Sequence, residues 1–260
     1  ELAKQGVEVL NGGVDSSAPA VYRAKARHLL ETVGLRFDQV VVFLDVSDIY
    51  DQARLYQWDD KGNLIVPPAP QPSLSGRARL WLRDASLTAR FGFVAYDYLE
   101  AIATFVSQRL EISRRWGKPL SDVDAYDRWL YSVTAKVFSA WTYDDERWRA
   151  YGQLGRARAV RDMDGLADML RRRGIALTLA VYPWPDQLLH DRQAPRHQGF
   201  WRDWAAKRNV PFINLFPAFT EDKPRAVMER YFIPFDVHWN AEGHKLVART
   251  FLEKFSPPRR

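Results

Sequence analysis

The sequence predicts an α/β protein built on a parallel sheet. Three observations carry that prediction. Val40 to Leu44 and Ile175 to Tyr182 are apolar runs without alternation, the pattern of strands covered on both faces. Segments with helical spacing lie between the strand candidates, which favours parallel pairing through right-handed crossovers. The unusual polar residues fall just after the strands, where open α/β sheets bind ligands.

Taken in order, Val7 to Leu10 reads as a short strand, and Asn11-Gly12-Gly13 opens a strand-to-helix loop that runs to Ser17. Ala18 to Val33 has helical spacing, with Pro19 in the first turn and Gly34 as the stop. Gln39 to Asp48 is a strand whose end changes abruptly to Asp45-Val46-Ser47-Asp48. Trp58 to Ile65 holds a turn-rich centre suited to a small hairpin, and Val66 to Pro72 is a proline-rich extended loop. Ser86 to Trp116 is mostly helical in pattern, and Asp122 to Trp148 is aromatic and charged. The chain therefore reads as one domain over 1–260, with a mainly helical insertion over about 52–154. Regularity returns with a basic amphipathic helix at Arg156 to Arg173, the strand Ile175 to Tyr182 and a helix at His197 to Arg208. A strand at Val210 to Phe216, a loop at Tyr231 to Trp239, a helix at Ala241 to Phe255 and the tail Pro257-Pro258-Arg259-Arg260 complete the chain.

Composition narrows the chemistry. The 260 residues, 47% of them hydrophobic and 27% charged, are enough for a buried core without a disulfide or metal staple. There is no cysteine, which removes thiol catalysis, Cys-ligated zinc, iron–sulfur clusters and disulfides together. The net charge is 38 − 32 = +6, a modest excess with scattered arginines, so no nucleic-acid partner is expected. In the helix Arg156 to Arg173, Asp162, Asp164 and Asp168 interleave with the arginines, the pattern of a solvated face. No run approaches the ~20 apolar residues that a membrane-spanning helix needs.

The densest polar constellation is Asp236-Val237-His238-Trp239-Asn240 before the last helix. A carboxylate two residues before a histidine can accept a hydrogen bond from one ring nitrogen and leave the other as a base. Asn240 suits the helix N-cap. Gly13 lets backbone approach a substrate closely, with its N–H available to a developing oxyanion. Ser47, beside Asp48, supplies a polar donor at a strand end. His244 follows His238 by six residues, which is not a same-face ligand spacing, so no metal and no cofactor is expected.

A glycine loop after one strand, a polar cluster after the next and Asp/His before the last helix resemble the blocks of the SGNH (GDSL-type) hydrolase superfamily. The likeness runs over about 7–51 and 175–255. It implies a flavodoxin-like three-layer α/β/α sandwich in which a serine attacks an ester carbonyl. His238 then matches the general base, Asp236 its orienting acid and Gly13 the oxyanion glycine. Ser47 stands where the family usually has Asn, and Asp-x-His replaces the usual Asp-x-x-His. The Asp-x-His-Trp form resembles SGNH-like polysaccharide O-acetyltransferases, which points to acyl groups on sugars and to a place outside the cytoplasm.

The family's first block, Gly-Asp-Ser, is absent. The expectation is that a first strand and its serine precede Glu1, leaving this chain without its nucleophile. Ser16, Ser17 and Ser47 are the serines near the predicted site. The resemblance thus implies a serine ester hydrolase or O-acyltransferase acting on an acylated carbohydrate or lipid. Two other readings stay open: a non-catalytic carbohydrate-binding module on the same fold, and a metal-dependent phosphoesterase. Nothing in the sequence sets an oligomeric state.

Overall fold

The computed structural model describes residues 2–14, 16–66, 73–134, 137–192 and 195–257. Backbone contacts divide the chain into two compact units, Glu1–Pro67 with Val133–Arg260, and Pro68–Ser132. In chain order, α1 (Pro19–Glu31), β1 (Gln39–Leu44) and α2 (Asp48–Arg54) precede a hairpin of β2 (Gln57–Trp58) and β3 (Leu64–Ile65). The helices α3 (Leu74–Ala85), α4 (Leu87–Trp116), α5 (Ala125–Thr134) and the single turn α6 (Asp145–Arg147) follow. Then come α7 (Gln153–Arg172), β4 (Ala176–Val181), α8 (Gln187–His190), α9 (Arg196–Arg208) and β5 (Phe212–Asn214). The chain closes with α10 (Phe216–Thr220), α11 (Pro224–Tyr231) and α12 (Ala241–Lys254).

The first unit is mixed α/β around a three-stranded parallel sheet of order β1-β4-β5. β4 lies in the middle and is the most buried strand, with Leu179, Ala180 and Val181 fully buried. Burying a side chain such as Leu179 contributes about 1.5–3 kcal/mol. The unbroken apolar run is therefore what a central strand requires. The helix α7 packs against both α1 and α2. Gly155 makes the second crossing possible, because a Cβ there would lie 1.9 Å from the Ile49 carbonyl oxygen. At the start of α1, Ala18 offers no side-chain cap, and Gln52 of α2 instead accepts from the Ala20 N–H at 3.0 Å. Gln52 in turn donates to the buried Asp162 of α7, which also accepts from Arg23 and Trp58. This network satisfies an orphan helix-terminal donor and ties four elements together, α1, α2, β2 and α7.

The strands at Gln39, Ile175 and Val210, the hairpin, and the helices predicted at Ala18, Arg156, His197 and Ala241 form close to their predicted places, whereas α2, α8, α10 and α11 are not marked by the sequence pattern. The predicted strand Val7 to Leu10 does not. Residues 7–14 have neither helix nor strand, and Val9 and Leu10 are 64% and 61% exposed. A short apolar run becomes a strand only where a neighbour completes its hydrogen bonds. Among the described residues β1 pairs with β4 alone. The predicted loop Val66 to Pro72 lies, from 67 onward, outside the described residues, as do tail positions 258–260.

The second unit is helical. Ser73 and Ser86 cap α3 and α4, accepting from the Gly76 and Ala89 amides, and Gly117 ends α4 in the left-handed region. Lys118 pairs with Asp127 at 2.7 Å, and Arg128 sits over the Phe105 ring. This unit is narrower than the predicted insertion over 52–154. Trp141 and Tyr151 are buried in the first unit, where the Trp141 indole N–H donates to the Val46 carbonyl at 2.8 Å.

Candidate active site

Asp236 and His238 come together on the loop between α11 and α12. The loop is pinned at its base by a bridge between Phe232 and Trp239 and by the Ile233 N–H donating to the His238 carbonyl at 3.0 Å. The Asn240 side chain caps α12 by accepting from the Glu242 and Gly243 amides, while its own amide donates to the Arg230 and Phe232 carbonyls. Gly243 allows this closeness, since a Cβ there would lie 2.2 Å from the Tyr231 carbonyl oxygen. Phe235 takes a left-handed φ of 64° directly before Asp236. That conformation costs a bulky residue about 1–2 kcal/mol.

Within this frame Asp236 Oδ1 lies 2.6 Å from His238 Nδ1 and accepts from the Val237 and His238 amides at 2.6 and 3.2 Å. Burial opposes ionisation of Asp236. The hydrogen bonds from the His238 ring and the two amides outweigh it and hold the carboxyl below its ordinary range. An ionised Asp236 places the ring proton on Nδ1 and leaves the Nε2 lone pair as a base. The His238 side chain is 71% exposed and that of Asp236 41%, so a substrate has access to the ring.

The second half of the site is the C-terminal edge of the sheet. The register pairs Leu44 with Val181, so the next residues, Asp45 and Tyr182, emerge side by side. Asp45 is a hub. Its Oδ2 accepts from the Tyr182 hydroxyl at 2.6 Å and the Trp184 indole at 2.8 Å. Its Oδ1 accepts from the Ser47 N–H and hydroxyl, each at 2.7 Å. The Tyr182 ring packs edge-on against Trp239 at 4.6 Å, which carries the contact to the residue after His238.

Of the predicted substrate-positioning residues, Ser47 and Asp48 lie where the turn after β1 enters α2. The Ser47 hydroxyl proton is donated to Asp45. Asp48 is the first residue of α2 and only 1% exposed, accepting from the Tyr22 hydroxyl at 2.8 Å and the Asp45 amide at 3.1 Å. Burial and the nearby Asp45 charge push the Asp48 carboxyl well up. It braces the loop and α1 from within. Gly13 is held locally, its N–H donating to Asn11 Oδ1 at 2.9 Å, while the Gly12 carbonyl accepts from Lys25. Sequence reasoning does not mark Asp45, Tyr182, Trp184 and Trp239 as site residues. Their signals in the sequence differ: Asp45 directly follows the run Val40 to Leu44, Tyr182 closes the second run with Trp184 two residues on, and Trp239 stands directly after His238.

A buried acid lies beyond the same strand. Asp186 precedes α8 and accepts from the hydroxyls of Ser139 and, at 2.9 Å, Tyr143. Burial pushes its carboxyl from 3.8 up to about 6, against the lowering by those two hydroxyls. Between these values the folded protein keeps a proton that the unfolded chain has released, so this group's contribution to stability falls as pH rises. His197, buried against the Leu44 carbonyl, is pushed from 6.5 down to about 4, and its contribution rises with pH across that window. Asp186→Asn removes only the first effect. Asp191, raised by burial to about 6, is common to both proteins and cancels in the comparison. The variant is expected to gain on the wild type between about pH 4 and 7, by up to ~3 kcal/mol of unfolding free energy. Parallel urea-unfolding profiles across that range would contradict the assignment.

Among the described residues no group of three or more His, Cys, Asp or Glu side chains is arranged to hold a metal ion. Comparison of the chain with protein-family models, curated proteins and solved structures found no match.

Proposed function

We propose that this protein performs serine-dependent ester chemistry on an acylated carbohydrate or lipid, as a hydrolase or an O-acyltransferase, on a flavodoxin-like sandwich of the SGNH type. The observation that carries the reading is the exposed Asp236–His238 pair at 2.6 Å, with Nδ1 engaged and Nε2 left as the base. Its setting, beside a helix N-terminus and linked by Trp239 to the C-terminal edge of a parallel sheet, agrees with the reading.

In this mechanism His238 takes the proton from a serine hydroxyl as the oxygen attacks the acyl carbonyl. It then returns the proton to the leaving alkoxide, forming an acyl-enzyme. Water or a sugar hydroxyl, deprotonated by the same ring, releases the acyl group. Asp236 stabilises the imidazolium in both steps. The serine is the part to be identified. The Ser17 hydroxyl donates to the Val14 carbonyl and that of Ser47 to Asp45, whereas Ser16 takes a left-handed φ of 52°.

A second reading, a non-catalytic carbohydrate-binding module, is favoured by one observation. The two expected oxyanion donors, the Gly13 N–H and Ser47 hydroxyl, are both given to neighbouring side chains. Fluorophosphonate labelling of the polypeptide as the cell makes it, with the tagged peptide mapped by mass, separates the two. One labelled serine, lost in His238→Ala, is the expected result. Folded protein that takes no label yet binds saccharide would move the conclusion to the binding module.

A further inference from the structure

We infer that the corner formed by α3 and the first half of α4 docks on an anionic lipid surface. The inference is independent of the proposed chemistry. Leu74 and Trp81 on α3, and Leu87, Phe91, Val94 and Tyr98 on α4, are 66–78% exposed. The four on α4 follow spacings of four, three and four residues, so they form one stripe along the helix. Leu74, Trp81 and the exposed Leu82 share one side of α3 by the same periodicity. The Ser86 cap and the Arg90 Nε donating to the Arg83 carbonyl at 2.8 Å tie the two helices at their junction. Single exposed apolar residues are ordinary on a protein surface. A run of large ones over two successive helices marks an interaction surface.

Charge selects the occupant. Over α3 and the first half of α4, residues 74–101, the ionisable residues are Arg77, Arg79, Arg83 and Arg90 against Asp84, Asp97 and Glu100, a net 4 − 3 = +1, with the four arginines gathered over 77–90. Arg77, Arg83 and Arg90 are exposed beside the apolar positions, while Asp97 and Glu100 come later in α4. A second copy would bring two such basic corners together and be repelled. Anionic headgroups neutralise them, at about 1 kcal/mol per arginine near the surface. Breadth argues the same way, because Leu99, Val106 and Leu110 are also exposed outside the stripe. A fluid apolar phase accepts several faces of a helix without a complementary groove. Exposed Trp81 and Tyr98 suit the depth of lipid headgroups. An apolar helical stripe flanked by arginines suits docking in the plane of a lipid surface, and among the described residues no helix is long and apolar enough to cross a membrane.

The test is co-sedimentation of the whole chain with vesicles of phosphatidylcholine, with and without phosphatidylglycerol. Pelleting with the anionic vesicles only is expected. Replacing Arg77, Arg83 and Arg90 with glutamine should weaken it roughly a hundredfold, and Trp81→Asp with Phe91→Asp by at least about tenfold. These side chains are exposed, and circular dichroism checks that the variants fold. Three results would overturn the inference: no anionic preference; arginine dependence without dependence on Trp81 and Phe91; or no vesicle binding, with a Phe91-sensitive dimer or captured protein partner instead.

Discussion

His238→Ala is expected to lower ester turnover by roughly a thousandfold or more, the scale of loss when a catalytic base is removed from a triad. In the proposed mechanism the Nε2 lone pair of that ring, oriented by Asp236 at 2.6 Å, accepts the serine proton. The side chain is 71% exposed, so its removal should leave the melting temperature within a degree or two. That separation gives the prediction its force. The assay is kcat/KM on a small acyl ester, with thermal unfolding measured alongside, in the polypeptide that takes the fluorophosphonate label. Undiminished turnover in the folded variant would end the assignment of His238 as base. Asp236→Asn should retain more activity than His238→Ala, because it disturbs the ring's tautomer without removing the ring.

Asp45→Ala is expected to cost several kcal/mol of folding free energy, about 2–5, from a single half-buried side chain. The carboxylate accepts four hydrogen bonds, from the Ser47 amide and hydroxyl, the Tyr182 hydroxyl and the Trp184 indole. Alanine leaves all four donors without their partner. A buried donor left unsatisfied costs about 1–3 kcal/mol, and the Trp184 side chain is only 8% exposed. Asp45→Asn keeps one acceptor oxygen but turns an amide group towards donors, so an intermediate loss is expected. Because Tyr182 packs on Trp239, the alanine variant should also lose turnover beyond its loss of folded protein. Urea unfolding orders the three proteins. A loss below about 0.5 kcal/mol for Asp45→Ala would show that the hub does not hold the strand ends together.

Much of the fold and half of the site are legible in the amino-acid sequence. Val40 to Leu44 and Ile175 to Tyr182 read as buried parallel strands because lack of alternation requires cover on both faces, and β1 and β4 form there. Asp236, His238 and Asn240 lie within five residues of one another, so local spacing already places a carboxylate, a ring and a helix cap together. Val7 to Leu10 misleads because β-propensity needs a partner strand, and a linear pattern does not show whether one is there. The insertion reads too wide for the same kind of reason. Trp141 and Tyr151 sit in an irregular stretch, and their burial in the first unit comes from contacts with residues about a hundred positions away.

By itself the sequence determined the class of the fold, the absence of thiol chemistry and the Asp236–His238 pair, all of which follow from composition or near-neighbour spacing. The tertiary structure alone decided that Asp45 would meet Tyr182 and Trp184, and that Ser47 would give its proton to Asp45. It also decided that Asp48 would be buried against Tyr22, and that Trp239 would link the two halves of the site. The physical reason is register. Two parallel strands separated by some 130 residues bring their ends together only once Leu44 is paired with Val181. That pairing is chosen by the packing of the whole sheet and its helices, not by either strand.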